Sequence, residues 1–146
     1  MLGDAAFSSE DYYEKLKREA PENVHFHGWV YDLPAKVNEI GLQVCLVPSR
    51  CPPESPERSF EAAPLVPLQM VALSCLVIVR KLGALEDVAR ELGLETFEKD
   101  EELKIILPKL QLFPASKLAK ICHANYSTCF LRYKNCHFLE NLQILL

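Results

Sequence analysis

Short apolar runs alternate along the chain with segments whose apolar residues recur at helical spacing. The runs predict strands at Val24–Val30, Leu42–Pro48, Cys75–Arg80 and Leu94–Phe97. Helices are predicted from Ser8 or Ser9 to about Glu19, Asp32 to Ile40, about Leu65 to Ala72, Leu85 to Leu92, and beyond Glu98 with interruptions at Pro108 and Pro114. This alternation predicts an α/β fold with a mainly parallel, Rossmann-like sheet flanked by helices and a helical C-terminal tail.

Glycine and proline mark the ends of these elements. All five glycines fall at or near a predicted boundary, and residues 49–59 hold three prolines, which predicts a loop. Pro67 lies inside a predicted helix, but in its first turn, where a missing N–H is tolerated. The compact run Leu42–Pro48 has the composition of a strand buried on both faces.

Composition excludes several classes of function. The 146 residues suffice for one domain with a sizeable core, and 49% of them are hydrophobic. A net charge of -4 without a clustered basic stripe predicts no nucleic-acid binding. The longest apolar run, Met70–Val79, is too short for a transmembrane segment. No secretory signal is recognisable, so we expect a cytoplasmic protein, with peripheral membrane contact left open.

Six cysteines raise the possibility of disulfides or a metal site. Cys45 and Cys75 lie inside apolar runs, where a thiol acts as a small hydrophobic group. Cys122, Cys129 and Cys136 recur every seven residues, and neighbours on one helix would lie roughly 10 Å apart, too far for one zinc. We therefore expect reduced thiols and no metal site.

The order of the elements resembles a known enzyme domain. The segments that carry the resemblance are Asn23–Val30 (NVHFHGWV), Val44–Ser49 (VCLVPS), Leu76–Val88 (LVIVRKLGALEDV) and, more weakly, Asn125–Ser127 (NYS). Together they resemble the C-terminal, donor-binding domain of retaining GT-B glycosyltransferases, the group that includes glycogen and sucrose synthases. The resemblance runs from Leu2 to about Gly93 and implies binding of a nucleotide-diphosphate sugar.

The resemblance also implies a set of site residues. Glu61 and Gln69 have the spacing of the family's paired glutamates, eight positions apart, and would contact the donor sugar and the ribose respectively. Leu65 and Val66 begin a helix whose N–H groups would face the diphosphate. The loop of Gly28, Trp29 and Val30 would pack against the base, with Trp29 alternatively a simple packing residue. Neither a metal nor another cofactor is implied, and the catalytic role falls to Glu61 through positioning and charge stabilisation.

Several departures from the family pattern argue against independent catalysis. Gln69 replaces the second glutamate, Pro64 replaces a glycine before the helix, Ser74 replaces the glycine of the family's G-x-P-V-I segment, and Leu82 replaces a further glycine. The chain begins at a point resembling the middle of the donor domain, without the preceding strand and basic loop and without an acceptor domain. We expect a fragment that is inactive alone, because closure between two domains excludes water.

Two functions therefore stay open. The first is a donor-domain fragment that binds nucleotide sugar, completed by an acceptor-domain chain. The second is a non-catalytic interaction or regulatory module, or a homodimer that uses the apolar C-terminal segment. We predict a nucleotide-sugar-binding domain over residues 1–113 and a helical tail over residues 114–146. An unrelated doubly wound domain of the response-regulator type is disfavoured, since its acidic pair and late lysine are not found in the required order.

Overall fold

The computed structural model describes residues 10–49 and 64–133. By its contacts the chain forms two compact units, Met1–Ile40 and Gly41–Leu146, called here the first and the second unit. The predicted division between residues 113 and 114 stays a prediction.

The first unit holds two helices, α1 (Glu10–Glu19) and α2 (Leu33–Ile40). Both were predicted. A turn follows α1, in which the Val24 N–H donates to the Pro21 carbonyl at 2.9 Å. Asp32 caps α2 as predicted, because its Oδ1 accepts from the Ala35 N–H at 2.9 Å. Gly41 ends α2 with a φ of 62°, a left-handed conformation that glycine adopts readily.

The predicted strand Val24–Val30 is wrong. The segment has no ladder, and only Gly28 forms an isolated bridge. Alternation of apolar and polar residues indicates extended backbone, but a strand needs a neighbour to accept and donate hydrogen bonds along its length. The alternation still has a local effect, since Phe26 packs edge-on against Tyr13 with ring centroids 5.7 Å apart.

The second unit is built on a parallel sheet of β1 (Val44–Val47), β2 (Leu76–Arg80) and β3 (Glu95–Phe97), in the order β1-β2-β3. Val44 pairs with Leu76, and Ile78 pairs with Glu95. Helices α3 (Leu65–Ala72) and α4 (Ala84–Leu92) connect successive strands. This is the predicted α/β, Rossmann-like arrangement, and it is confirmed.

Two further helices, α5 (Asp100–Gln111) and α6 (Ala115–Tyr133), follow the sheet. The predicted helical C-terminal region is thus confirmed over its described part, and Pro114 separates the helices as expected. The predicted interruption at Pro108 is wrong, because Pro108 lies inside α5. The proline leaves the Lys104 carbonyl without its helical donor, but both residues are exposed, so water can bind this oxygen.

The core of the second unit lies on and around β2. Val77, Ile78 and Val79 are completely buried, as is Phe97 at the end of β3. On one face of the sheet, Leu76, Ile78, Phe97 and Leu110 form a cluster. Partly buried residues of β1, α5, α6 and the link between these two helices pack against it: Val44, Leu103, Ile106, Phe113, Leu118, Ile121 and Cys122. Helices α5 and α6 thus cover this face.

Strand β1 is less buried than its composition predicts. Leu46 is 38% exposed and only Val47 is buried. Within the described residues β1 has one neighbouring strand, β2. It is therefore an edge strand, and its apolar side chains are only partly covered. The expectation of burial on both faces is therefore wrong.

Candidate functional site

The carboxyl ends of parallel strands share one edge of the sheet, and ligands of open α/β sheets bind there. In the second unit this edge is formed where β1, β2 and β3 end, at Val47, Arg80 and Phe97. Each connecting helix begins at this edge and returns the chain to the amino ends of the strands. The first turn of α3, with the predicted donor-binding residues, therefore lies at this edge.

Helix α3 begins at Leu65, with Pro64 as its N-cap and no side-chain cap hydrogen bond. Leu65 and Val66 are 51% and 41% exposed, so the backbone at this helix end is accessible. An α-helix normally leaves about four N–H groups free at its start. Here Pro64 and Pro67 occupy two of these positions, and only the N–H groups of Leu65 and Val66 remain for an anion.

Gln69 lies one turn into the same helix and is half-buried. Its position on α3 agrees with the predicted helix, and its amide can both donate and accept a hydrogen bond. Glu61, the predicted catalytic residue, lies outside the described residues. The structure thus brings Leu65, Val66 and Gln69 together at the start of one helix, while the partnership of Gln69 with Glu61 stays a prediction.

Gly28, Trp29 and Val30, predicted to pack against the base, belong to the first unit. Gly28 has a φ of 63°, a left-handed turn that re-aims the chain and places Trp29 67% exposed. The Trp29 ring stands edge-on to Tyr31 at a centroid distance of 6.4 Å. An exposed aromatic pair of this kind can stack on a base, but the role stays a prediction.

In the segment before Gly28, desolvation lowers the pKa of His27, and the positive charge of Lys36 lowers this pKa further. The neutral imidazole is therefore favoured near neutral pH.

Arg80 is a feature of the carboxyl edge that the sequence reasoning missed. Its guanidinium donates to the Glu98 carbonyl at 2.8 Å, pairs with Asp100, and lies 4.6 Å above the Phe97 ring. The side chain is only 13% exposed, and Nε is buried without a hydrogen-bond partner among the described residues. An arginine directly after a buried apolar strand was the available signal. Through these contacts Arg80 links the end of β2 to the start of α5.

Helix α3 ends at a left-handed residue that is not glycine. Ser74 has a φ of 59° and is the one non-glycine residue with positive φ among those described. Its N–H donates to the Val71 carbonyl, and the Cys75 N–H donates to the Met70 carbonyl, both at 2.9 Å. This is the Schellman helix end, which places a left-handed residue, usually glycine, at this position. Ser74 thus adopts a backbone conformation in which glycine is the usual residue.

The amino ends of β1 and β2 border a cavity of about 460 Å³. Its walls come from three places, the start of β1, the start of β2 and the first half of α6, and comprise Leu42, Gln43, Val44, Ser74, Leu76, Ala115, Leu118, Ala119, Cys122, His123 and Tyr126. No sequence signal indicated it, because its walls are distant in the chain. It lies at the sheet edge opposite the predicted donor site.

A smaller hollow of about 360 Å³ lies between α4 and β3. Its charged lining residues are Lys81, Glu86 and Arg90. Arg90 is already paired with Asp87, so this hollow presents a mixed set of charges without a preference for one sign.

The described cysteines Cys45, Cys75, Cys122 and Cys129 are free thiols. Burial raises the pKa of each, that of Cys45 to about 11 with a further contribution from Cys75. Raised pKa values disfavour the thiolate, which is the nucleophile and the metal ligand. Within residues 10–49 and 64–133, no group of three or more His, Cys, Asp or Glu could hold a metal ion. No helix in these ranges is long and apolar enough to cross a membrane.

No protein-family model matches the chain, and no curated protein matches it. The resemblance to GT-B donor domains therefore stays an expectation, and no family is assigned.

Proposed function

We propose that this chain is a nucleotide-sugar-binding module of the GT-B donor-domain type, without transferase activity on its own. The α/β arrangement supports the proposal, because α3 begins at the carboxyl edge of the sheet with Leu65, Val66 and Gln69 in its first two turns. The ligand is a nucleotide-diphosphate sugar, bound without a metal. An acceptor-domain chain is the proposed partner, and the cytoplasmic location stays a prediction.

The observation that carries the proposal is the left-handed backbone at Ser74. The family's glycine at this place was expected from the resemblance alone, without reference to any backbone angle. A φ of 59° at a serine costs about 1–2 kcal/mol relative to the right-handed region. A chain descended from one with glycine at this position accounts for such a residue there.

Binding by this site is expected to be weak. A diphosphate at the start of α3 can accept hydrogen bonds from the Leu65 and Val66 N–H groups, while Pro64 and Pro67 supply none. Gln69 offers an amide oxygen to the ribose hydroxyls, a weaker acceptor than a carboxylate. Glu61 holds the sugar hydroxyls, as the resemblance implies. Transfer needs a second domain that closes over the sugar and excludes water, and an acceptor-domain chain would supply it.

The test is a calorimetric and thermal-shift titration of the full chain with UDP-, GDP- and ADP-glucose. We expect saturable stabilisation by one of them, lost in Glu61→Ala and weakened in Gln69→Ala. Glu101→Ala and Gln111→Ala, both at exposed positions on α5, are the matched controls and leave binding unchanged. A protein that melts cooperatively but shows no shift with any nucleotide sugar contradicts the proposal, as does equal binding by Glu61→Ala and wild type.

A second candidate is a non-catalytic interaction module. Its specific support is an exposed apolar pair, Ile105 on α5 and Leu112 at the C-cap of α5. They are 71% and 84% exposed and lie seven positions apart, about two helical turns. Sedimentation of the wild type against Ile105→Lys distinguishes it. Self-association that the charge abolishes, without nucleotide-sugar binding, favours this candidate.

A further inference from the structure

We propose that the cavity at the amino ends of β1 and β2 binds a small, uncharged aromatic molecule that carries a hydrogen-bonding group. The cavity lies at the opposite end of the sheet from α3's first turn, so the inference is independent of the nucleotide-sugar proposal. It concerns a second ligand of different chemistry.

The size and rigidity of the cavity fit a small molecule. Its volume of about 460 Å³ falls within the roughly 300–1,000 Å³ typical of small-molecule sites. The strand walls are fixed to each other, because the Leu76 N–H donates to the Gln43 carbonyl at 2.9 Å. The helical wall is fixed by Leu118 and Cys122, which pack on the core cluster of the sheet. A cavity with preset walls binds a ligand without an ordering cost for the protein.

The lining sets the chemistry of the ligand. Apolar side chains dominate, including Leu42, Val44, Leu76 and Leu118, and none of the described lining residues is Lys, Arg, Asp or Glu. A charged ligand would lose its hydration here without gaining an ionic partner, so an uncharged ligand is favoured. An aromatic ring covers much apolar area at low conformational cost.

Four polar side chains interrupt the apolar wall: Gln43, Ser74, His123 and Tyr126. Together they offer donors and acceptors from an amide, two hydroxyls and an imidazole. A few polar groups in an apolar pocket orient a ligand and give it specificity. A hydroxyl or similar group on the ring is therefore part of the proposed ligand, and an aromatic hydrocarbon of the same shape binds less tightly.

The proposed occupant is a small molecule rather than a helix or a second chain, because the cavity is bounded on three sides, by two strand ends and one helix. An amphipathic helix needs an elongated groove that receives residues spaced over two turns. The thiol of Cys122 in the wall provides a reporter, since burial raises its pKa and a ligand would shield it further.

The experiment titrates the full chain with 2-naphthol, followed by two-dimensional NMR, with naphthalene and glucose as comparison probes. We expect saturable shifts at residues of the cavity, weaker binding of naphthalene, and none of glucose. Ala119→Trp places a large ring in the cavity from an exposed position on α6, and we expect it to raise the Kd for 2-naphthol at least tenfold. Ala124→Trp, exposed on the same helix but outside the lining, leaves the Kd unchanged.

A second readout is alkylation of Cys122 by iodoacetamide, measured by mass spectrometry. 2-Naphthol slows it in the wild type and not in Ala119→Trp. The proposal is overturned by the absence of saturable 2-naphthol binding, by equal binding in Ala119→Trp and wild type, or by a wild-type dimer that Ala119→Trp dissociates. Competition between UDP-glucose and 2-naphthol overturns the separation of the two sites, whereas failure of nucleotide-sugar binding alone leaves this inference intact.

Discussion

The two ends of the sheet in the second unit differ in what they offer a ligand. At the carboxyl end, helix starts and charged side chains gather, but Arg80 is taken up by Glu98 and Asp100, and α3 has prolines at two donor positions. At the amino end, helix ends and apolar side chains leave an open cavity. The fold places helix starts at the carboxyl edge, where Pro64 and Pro67 supply no N–H donors, and it leaves space at the amino edge.

The difference shows that fold and local sequence set binding capacity separately. The parallel strands place helix starts at one edge whatever the sequence, but the N–H groups there depend on single residues such as Pro67. The cavity depends on shape rather than on such donors.

The prediction with the largest effect tests whether the carboxyl end of the sheet is better packed than the amino end. Phe97→Ala removes a completely buried ring and the surface beneath Arg80, and we expect it to destabilise the protein by about 3–5 kcal/mol. Leu118→Ala at the cavity wall, half-buried already, should cost only about 1–2 kcal/mol. Urea unfolding measures both. Equal losses would mean that packing does not distinguish the two ends.

The second prediction concerns the thiol of Cys45, whose pKa is about 11 in the folded protein against a usual value of 9.0. The unfolded chain ionises first as pH rises, so the stabilisation from the neutral thiol is present below about pH 9 and is lost towards about pH 11. We expect the wild type to lose about 2 kcal/mol more than Cys45→Val over this range. Unfolding in urea at the two ends of the range checks this, and parallel curves would refute burial of the thiol as the cause.

The third prediction restores a donor at the carboxyl end. Pro67→Ala returns an N–H to the first turn of α3, and a charge-assisted hydrogen bond to phosphate should lower the Kd for the nucleotide sugar roughly tenfold. Pro108→Ala restores an N–H at an exposed position inside α5, away from the site, and should raise the melting temperature without altering affinity. Calorimetric titration compares them. No gain in affinity from Pro67→Ala would show that the diphosphate does not lie at this helix end.

The smallest effect concerns the helix end beside the cavity. Ser74→Gly relieves the left-handed strain and should stabilise the protein by about 1 kcal/mol. Ser116→Gly, in the first turn of α6, should destabilise it by roughly 0.5 kcal/mol. The two substitutions therefore move the unfolding midpoint in opposite directions. A loss of stability in both would show that Ser74 is not strained at this helix end.

The sequence patterns predicted most of the second unit, because its strands are compact apolar runs separated by glycine and proline. The patterns were misleading where a neighbouring strand decides whether a segment pairs or is buried. Val24–Val30 has the alternation of a strand but no ladder, and Leu46 is exposed because β1 has one described neighbour.

Less of the candidate site could be predicted. Leu65, Val66 and Gln69 lie on the predicted helix because their positions follow from local periodicity. The roles of Arg80 and the amino-end cavity depend on contacts between segments far apart in the chain, and periodicity carries no information about these. Glu61 lies outside the described residues, and its role depends on the resemblance alone.

Pro108 also affects how the amide protons of α5 exchange with solvent. Its missing amide leaves one fewer hydrogen bond between the last turn of the helix and the turns before it. Leu110, in the last turn of α5, packs in the core cluster with Phe97. We expect the amide protons of this turn to exchange with solvent faster than those in the middle of the helix, because fewer hydrogen bonds hold the turn while Leu110 anchors it to the core.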